Sequence, residues 1–373
     1  MNSWDQLYLT WRKEAENGTL SPKIYVAAGG MSTKKGFLQK IKTLFGDSKK
    51  YNTSSQARKA VKKFKNQGYD AIKAYNLNKE VYFAVADEAK RQQIPVIGHL
   101  TPNLSLKNLY VSGQSQLAHV EEITKATMRD FGGRDYIFYN NVDAYLRYLR
   151  RNADSIASKL KENNIVISST LWIIESISAQ DFNLPYFLTT IELEYMNPGV
   201  LEGSKFSMGW FPGSNRYENP NNTDIKSKKR SQIYWKTYVE AIHIMTKALV
   251  RNGVIITAGT DSNTAGVVAG FSLHDELESL YKVGMSNAQV LHAATLAPAK
   301  WMQSNAGKIE AGYRADLVLL AKNPLIDIRN TKTINGVLTN GKYLDRTTLD
   351  SILESVKKAN NSSRKISINA YLN

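Results

Sequence analysis

The chain has 373 residues and no cysteine, and this absence limits the chemistry available to it. Without thiols it can form no disulfide bond, and histidine and carboxylate groups remain as protein ligands for any metal ion. It also has no uninterrupted apolar run of about 18 residues, so a membrane-spanning helix is not expected. The first five residues, MNSWD, lack the basic and then apolar pattern of a signal peptide, and the compartment is left open.

Acidic residues are scarce relative to basic ones, which leaves a formal net charge of +16. Between Lys34 and Lys65 a single acid, Asp47, stands among eleven Lys and Arg, and a second basic cluster comprises Lys226, Lys228, Lys229 and Arg230. Residues 54–67 place apolar side chains at helical spacing, with lysines on the other face. No zinc finger or aromatic RNA motif accompanies these charges. We therefore expect a solvated helix face with nonspecific attraction to anions and no specific nucleic-acid partner.

Short apolar runs alternate with amphipathic helical patterns along most of the chain. Helices are predicted over residues 78–91, 105–112 and 140–163, and a first strand over residues 23–28 before a turn at Gly29 and Gly30. Such alternation is typical of an α/β protein with a parallel sheet. Six parallel strands are predicted, and they end near Ala28, Lys73, His99, His119, Ser169 and Asp261.

Four of these strand ends carry a side chain that could serve a hydrolytic metal site. They are Lys73, His99, His119 and Asp261, each of which closes an apolar run. In a (β/α)₈ barrel the carboxyl ends of the strands converge on one rim, so residues far apart in sequence meet there. We therefore expect these four side chains to face one cavity.

Two further stretches are familiar, Gly259-Thr260-Asp261-Ser262 and Gly312-Tyr313-Arg314-Ala315-Asp316-Leu317-Val318. Here the chain resembles the amidohydrolase superfamily, in particular its imidazolonepropionase-like and Xaa-Pro-dipeptidase-like branch, from about Leu7 to about Leu344. The resemblance implies a (β/α)₈ TIM-type barrel with a β-sandwich drawn from both chain termini. No histidine precedes His99, so the His-x-His pair of the family's first strand is absent. The first two strands are then expected to be missing, which predicts a gap or exposed sheet edge beside the 23–28 strand.

The resemblance also implies roles for the four strand-end residues. Lys73 would be carbamylated and would bridge two metal ions, most simply zinc, with His99 and His119 binding one of them. Asp261 would bind the other and move a proton from the attacking water to the leaving amine. Each residue has an ordinary alternative: Lys73 as a surface cation, the histidines as core or rim residues, and Asp261 as a helix N-cap.

Three histidines and one tyrosine are weaker candidates. His274 either lines the substrate pocket or caps a helix, and Tyr75 could point at a substrate carbonyl two residues beyond Lys73. His243 and His292 fall inside helical patterns, so we expect structural roles for both.

The domain boundaries follow from these patterns. Residues 1–305 are predicted to form the incomplete barrel, with a long insertion over 171–252 that is typical of a lid or pocket wall. Residues 306–345 are predicted to form the β-sandwich portion. Residues 346–373 are predicted to be a polar helical tail with a poorly ordered end.

The sequence as a whole predicts a metal-dependent amidohydrolase that cleaves a C–N bond in an amide, dipeptide or cyclic amide. One alternative is a catalytically impaired fragment or remnant that lacks the His-x-His ligands. Another is a basic module for anionic polymers, whose binding would vanish with salt. The expected partner is a small-molecule or dipeptide-like substrate, and the sequence leaves a homo-oligomer open.

Overall fold

The computed structural model describes residues 2–3, 7–33, 51–205, 207–220 and 223–372. Much of the lysine-rich stretch noted above, residues 34–50, therefore lies outside the described residues. The chain divides into two compact units. Unit 1 comprises Met1–Asp130, Asn152–Ser168 and Arg251–Ile255, and unit 2 comprises Phe131–Arg151, Ser169–Val250 and Ile256–Asn373.

A parallel sheet forms the centre of unit 1, and its strand order follows the chain. Each strand pairs in parallel with the next. The strands are β1 (Asn2–Ser3), β2 (Ala27–Ser32), β3 (Ala71–Asn76), β4 (Val96–Gly98), β5 (Gln116–Ala118) and β6 (Val166–Ser168). The order is linear, and no closed barrel forms among the residues that the structure describes.

The amino-terminal side of this sheet differs from the prediction. The strand expected over 23–28 runs instead from Ala27 to Ser32, through the two glycines that were predicted to turn. A Cβ at Gly30 would lie 3.0 Å from the Cβ of Tyr75, so glycine here lets β2 lie close to β3. The predicted gap beside this strand holds β1, whose Asn2 and Ser3 pair with Ala27 and Ala28. A strand of two residues has no periodicity by which a sequence could reveal it.

Helices cover the connections of unit 1, and they begin where the sequence predicts. Thr53 and Asn78 act as N-caps, and their side chains accept hydrogen bonds from the N–H groups of Gln56 and Val81. The apolar face predicted within residues 54–67 is buried at Ala57, Ala60, Val61 and Phe64. The helices are Leu7–Glu16, Ser54–Asn66, Lys79–Arg91, Leu106–Ser112, Val120–Phe131 and Val142–Glu162, of which the last begins in unit 2.

Unit 2 is mainly helical in its first part and carries a small antiparallel sheet in its second. Its helices are Arg134–Asn140, Leu171–Leu188, Pro198–Leu201, Ile225–Arg251, Phe271–Lys282, Asn287–Ala294, Leu296–Trp301 and Arg346–Ser363, and its 3₁₀ turns are Leu193–Tyr195, Ile328–Lys332 and Asn369–Tyr371. The small sheet consists of β8 (Leu317–Leu320), β9 (Ile334–Thr339) and β10 (Lys342–Asp345), paired antiparallel in the order β10-β9-β8. The predicted strands after residue 306 are thus present.

Strand β7 (Ile256–Thr257) is shorter than the apolar run that predicted it. The run was expected to stay extended to Asp261, but the backbone N–H of Ala258 donates to the carbonyl of Ala293. The main chain is therefore already engaged with the helix Asn287–Ala294 at that point. The residues that follow β7 form a loop.

The stretch 171–252, predicted as a long insertion, is mostly helix. It contains Leu171–Leu188, which is kinked at Asn183 just before Pro185, and the 27-residue helix Ile225–Arg251. The buried cluster that follows the first of these includes Leu193, Leu201 and Trp210. None of the helices that the structure describes is both long enough and apolar enough to span a bilayer.

The end of the chain, as far as residue 372, makes specific contacts within unit 2, and its predicted poor order remains a prediction. Ile368 is 4% exposed in the cluster around Leu201, and the Tyr371 ring stacks on Phe211 at 5.6 Å. The Arg364 guanidinium donates to the carbonyl oxygens of Leu193 and Glu194. Apolar and polar contacts of this kind oppose the entropy cost of fixing a chain terminus.

Candidate active site

The carboxyl ends of β3, β4 and β5 bring four of the predicted residues into one place in unit 1. The Tyr75 ring packs edge-on against His99, with ring centroids 4.7 Å apart. The rings of His99 and His119 are 4.9 Å apart. Lys73 lies two residues before Tyr75 and therefore on the same face of β3.

The position of Lys73 is set by the register of β3 and β4. Lys73 pairs with Ile97, and Ala74 pairs with Gly98. A Cβ at Gly98 would lie 3.0 Å from the Lys73 Cγ, so the lysine stem passes directly over the glycine. The side chain is half-buried, and within the described residues no carboxylate forms an ion pair with it.

His99 is held by its backbone and by a buried network beneath it. Its N–H donates to the Ala74 carbonyl at 3.0 Å, which continues the β3–β4 ladder past the strand end. The Gln114 amide donates to the Gly98 carbonyl, and the Tyr82 hydroxyl donates to the Gln114 oxygen at 2.7 Å. Burial raises the pKa of Tyr82 to about 12, so this donor stays protonated.

His119 is buried and has a left-handed backbone, with φ of +73°. Its N–H donates to the Ser168 carbonyl at 2.9 Å, which extends the β5–β6 pairing by one residue. Side chains alternate between the two faces of an extended strand, and the positive φ interrupts this alternation at the strand end. A non-glycine residue in this region is strained, and such strain is found preferentially at functional sites.

A carboxylate that the sequence analysis did not identify joins this group. Glu122 Oε1 lies 3.1 Å from His99 Nδ1 and 3.1 Å from Lys125 Nζ. Burial alone would raise the pKa of Glu122, but the His99 hydrogen bond and the Lys125 charge outweigh it and lower the pKa to about 2. The carboxylate is therefore ionised throughout the neutral range. The only sequence signal was its place in the first turn of a helix that begins directly after His119.

The other predicted residues belong to unit 2. Asp261 follows β7 in a loop, with an exposed side chain and φ of +52°. His274 Nδ1 lies 2.9 Å from the Thr331 hydroxyl, and burial together with the Lys332 charge lowers the pKa of this imidazole. This contact suits a structural histidine at least as well as a pocket residue. Whether Asp261 faces the same cavity as the histidines remains a prediction.

The two histidines that were expected to be structural have different surroundings. His243 Nε2 lies 2.6 Å from Glu175 Oε1, and the other oxygen of Glu175 accepts from the Ser279 hydroxyl. This bond joins the helices Leu171–Leu188, Ile225–Arg251 and Phe271–Lys282. His292 is exposed on the helix Asn287–Ala294.

The side chains of His99, His119 and Lys73 are the candidate ligands for a metal ion in unit 1. Within the described ranges no three His, Asp or Glu side chains cluster closely enough to bind one. The adjacent rings of His99 and His119 fit one ion of the zinc type, which takes imidazole nitrogens readily. A third protein ligand would have to come from a residue of another type, and Lys73 is the nearest candidate in register.

The chain belongs to the amidohydrolase family. The family's sequence model matches residues 8–344, which is most of the chain, and the resemblance read from the sequence is thereby confirmed. No curated protein sequence matches the chain. The family supports a hydrolase.

Solved structures share the fold at low sequence identity. The bottromycin amidohydrolase matches with a TM-score of 0.69 at 21% identity over 94% of this chain and 72% of that chain. A Xaa-Pro dipeptidase with bound methionine matches with 0.60 at 17% over 92% and 74%, and A. niger ochratoxinase with 0.59 at 15% over 91% and 70%. At these identities the likeness establishes the fold alone. The predicted class, an α/β protein related to TIM-barrel amidohydrolases, is confirmed.

Proposed function

We propose that this protein is a metal-dependent hydrolase that cleaves a carbon–nitrogen bond in an amide, a dipeptide or a cyclic amide. The observation that carries the proposal is the 4.9 Å separation of the His99 and His119 rings at neighbouring strand ends. Two imidazoles this close, on strands that supply the ligands of such sites, favour a shared ion over two independent core histidines.

Lys73 is the proposed third ligand, as a carbamate. Lys73 is half-buried, and within the described residues no carboxylate forms an ion pair with it. The neutral amine can add CO₂ and release a proton, which leaves an anionic carbamate at the end of the lysine side chain. Lys73, His99 and His119 would then make three protein ligands and leave one position open for water.

Tyr75 and Asp261 would supply the remaining catalytic groups. Tyr75, 51% exposed and packed against His99, would donate a hydrogen bond to the carbonyl oxygen of the substrate. Asp261 would accept the proton of the attacking water and deliver it to the leaving amine. Hydrolysis then yields a carboxylate and an amine. A bound zinc-like ion would supply a water molecule of lowered pKa and polarisation of the carbonyl.

The relatives suggest the class of substrate. One structural neighbour is a Xaa-Pro dipeptidase, and another is a bottromycin amidohydrolase. We therefore propose a small peptide-like or N-acyl amino acid substrate for this site.

A catalytically impaired remnant is the second candidate, and a specific observation favours it. These 373 residues contain five histidines and no His-x-His pair, so within them a second ion would lack those two ligands. A second ion would keep only Asp261 and the shared lysine. On this reading one zinc-like ion binds tightly and turnover is weak or absent.

Metal analysis of the purified chain, paired with assays on Xaa-Pro and N-acyl amino acid libraries, separates the two candidates. We expect about one tightly bound ion per chain, lost in His99→Gln and kept in His292→Gln, which changes an exposed histidine elsewhere. Turnover that requires this ion supports the enzyme, and a bound ion without turnover supports the remnant. A chain that binds no zinc after saturation with bicarbonate and metal excludes both.

Lys73 has a test of its own. Intact-mass spectra recorded in bicarbonate should show the mass increment of one carbamate in the wild type and none in Lys73→Met. Lys73→Glu should restore part of the metal binding, because its carboxylate replaces the anionic group. Equal metal binding by the wild type and Lys73→Met would remove this residue from the site.

A further inference from the structure

The loop after β7, residues 258–270, has exposed ends and a buried centre. Asp261 lies near its start with an exposed side chain, whereas Val267 and Val268 are buried. Asp261 and Asn263 both have a left-handed backbone, with φ of +52° and +75°. Non-glycine residues keep such a conformation only where the surrounding structure holds them in it. The groups that hold this loop therefore decide where Asp261 lies.

Gln180 reaches the centre of this loop from the helix Leu171–Leu188. The residue is 1% exposed, and its Nε2 donates to the Ala265 carbonyl at 3.0 Å. A Cβ at Gly266 would lie 2.7 Å from the same nitrogen, so glycine there lets the loop backbone lie directly against Gln180. The bond joins residues 85 positions apart, and it therefore depends on how the helix and the loop pack together.

Asn215 fixes the Gln180 amide from the other side. It is 7% exposed, and its Nδ2 donates to Gln180 Oε1 at 2.9 Å and to the Trp210 carbonyl at 2.8 Å. Its side-chain oxygen accepts from the Tyr217 N–H at 2.8 Å. Because carbonyl oxygens only accept and N–H groups only donate, each of the two amides can lie only one way round. This buried amide pair connects residues 210–217 to the loop that carries Asp261.

We infer that Gln180 is a positioning residue that fixes the Asp261 loop through the Ala265 carbonyl. Val268 also holds the loop by its burial in the cluster around Leu201, but apolar burial has no preferred direction. A hydrogen bond requires a narrow range of distance and angle, so it restricts the position of the loop more closely. Gln180 would touch neither substrate nor ion. The fixed loop is a property of the folded chain, and its effect on turnover rests on the proposed function.

Amide hydrogen exchange of the full chain, followed by mass spectrometry, tests the inference without reference to activity. The N–H groups of Val267 and Val268 donate to the Thr264 carbonyl and the Ser272 hydroxyl, so their exchange reports opening of the loop. Gln180→Met keeps the length of the side chain and removes the amide. Exchange in the loop should become about 10- to 100-fold faster, because the Ala265 carbonyl loses its buried partner. Exchange in the helix Ile225–Arg251 should stay unchanged, which separates local opening from global unfolding.

Ser176→Ala is the matched control, because Ser176 is a buried polar residue of the same helix whose hydroxyl bonds only within that helix, to the Ile173 carbonyl. It should leave exchange in the loop unchanged. Asn215→Ala keeps the bond to Ala265 but frees the Gln180 amide to rotate, so its effect should be intermediate. Unprotected loop amides in the wild type would overturn the inference whether or not any variant folds. So would unchanged loop exchange in folded Gln180→Met.

Steady-state kinetics measures the consequence for Asp261, with the Xaa-Pro or N-acyl amino acid compound that the wild type turns over fastest. Gln180→Met should lower kcat about 10- to 100-fold, because a displaced proton acceptor is poorly aligned with the attacking water. KM and the content of tightly bound ion should change little, and Ser176→Ala should keep the wild-type kcat. Faster loop exchange with an unchanged kcat would contradict the positioning role. A wild type without turnover counts against the proposed function, while the exchange result still decides whether Gln180 holds the loop.

Discussion

Gly98 and His119 both hold left-handed backbone conformations at the candidate site, with φ of +113° and +73°. At Gly98 both the backbone conformation and the lack of space favour glycine, since a Cβ there would lie 2.2 Å from the carbonyl oxygen of Ala74. His119 has a Cβ, so its left-handed backbone conformation is less stable by on the order of 1–2 kcal/mol. The backbone conformations of these two residues therefore contribute to the positions of Lys73, His99 and His119.

Gly98→Ala should destabilise the protein by about 2–3 kcal/mol, because backbone strain and a clash with the β3 carbonyl add together. Gly113→Ala is the control, since Gly113 has φ of +80° but nothing within 4 Å of its missing Cβ. That variant should cost only the conformational term, about 1 kcal/mol. Urea unfolding of both variants measures the difference, and equal losses would show that the close approach at Gly98 does not matter.

Glu276 is a second residue whose surroundings decide its behaviour. It is fully buried in unit 2, accepts a hydrogen bond from the Trp172 N–H at 2.7 Å and bonds the Ser169 hydroxyl. Burial raises the pKa of this carboxyl to about 7, although both hydrogen bonds favour the charged form. In the unfolded chain the same group titrates near its ordinary value of 4.5.

Because the folded pKa of Glu276 is the higher one, the proton it binds stabilises the fold at low pH. This contribution should be complete below about pH 4.5 and should fall by up to about 1.4 kcal/mol per pH unit until about pH 7. Glu276→Gln mimics the protonated group and should remove this dependence. The free energy of unfolding of the wild type minus that of Glu276→Gln, measured from pH 5 to about 8, should therefore decrease. A difference that is constant or increases with pH would contradict the raised pKa.

At the scale of elements, residues 364–372 pack against and hold a segment of unit 2. The carboxylate of Glu202 accepts from the N–H groups of Lys365 and Ile366, at 2.7 and 3.2 Å. Ile368 enters the buried cluster that contains Leu193, Leu201 and Trp210. The tail thus completes the packing around the 3₁₀ turn Leu193–Tyr195 and the helix Pro198–Leu201.

Ile368→Ala should lower the free energy of unfolding by about 2–4 kcal/mol, as expected for a buried isoleucine truncated to alanine. Ile366→Ala is the matched control, since Ile366 lies two residues earlier and is 43% exposed. Its effect should stay within about 0.5 kcal/mol. Thermal unfolding compares the two, and limited proteolysis near Leu201 reports on the segment. Equal effects would mean that the tail contributes nothing to the packing of unit 2.

At the scale of the whole molecule, the charge of +16 is the dominant property. Many of the cations are exposed on helices, such as those of Ser54–Asn66, whose buried face is apolar. A charge of this size attracts polyanions without reading their sequence. The described residues show no motif that would add specificity.

Binding to double-stranded DNA should therefore be detectable at low salt and independent of base sequence. Since such binding comes from counterion release, its affinity should fall steeply between about 50 and 200 mM salt. Fluorescence anisotropy with two unrelated duplexes measures both points. Retention of one duplex at physiological salt would support the basic binding module that we set aside.

The sequence by itself determined the family and the strand ends at which Lys73, His99 and His119 lie. The alternation of short apolar runs with amphipathic helices indicates a parallel α/β fold because burial leaves a periodic trace in the sequence. The same runs show where strands end, and they therefore predict that Lys73, His99 and His119 lie at one rim of the sheet. The antiparallel strands after residue 306 were predicted for the same reason.

Only the tertiary structure decided which side chains become partners. Glu122 bonds His99 across 23 residues, and Arg364 bonds the Glu194 carbonyl across 170, separations at which no local pattern operates. The strand β1 is too short to show a periodic pattern in the sequence. In the polar tail, the burial of Ile368 becomes visible only in the assembled cluster. Periodicity records which face of an element is buried. The identity of the residue on the other side is set by packing in three dimensions.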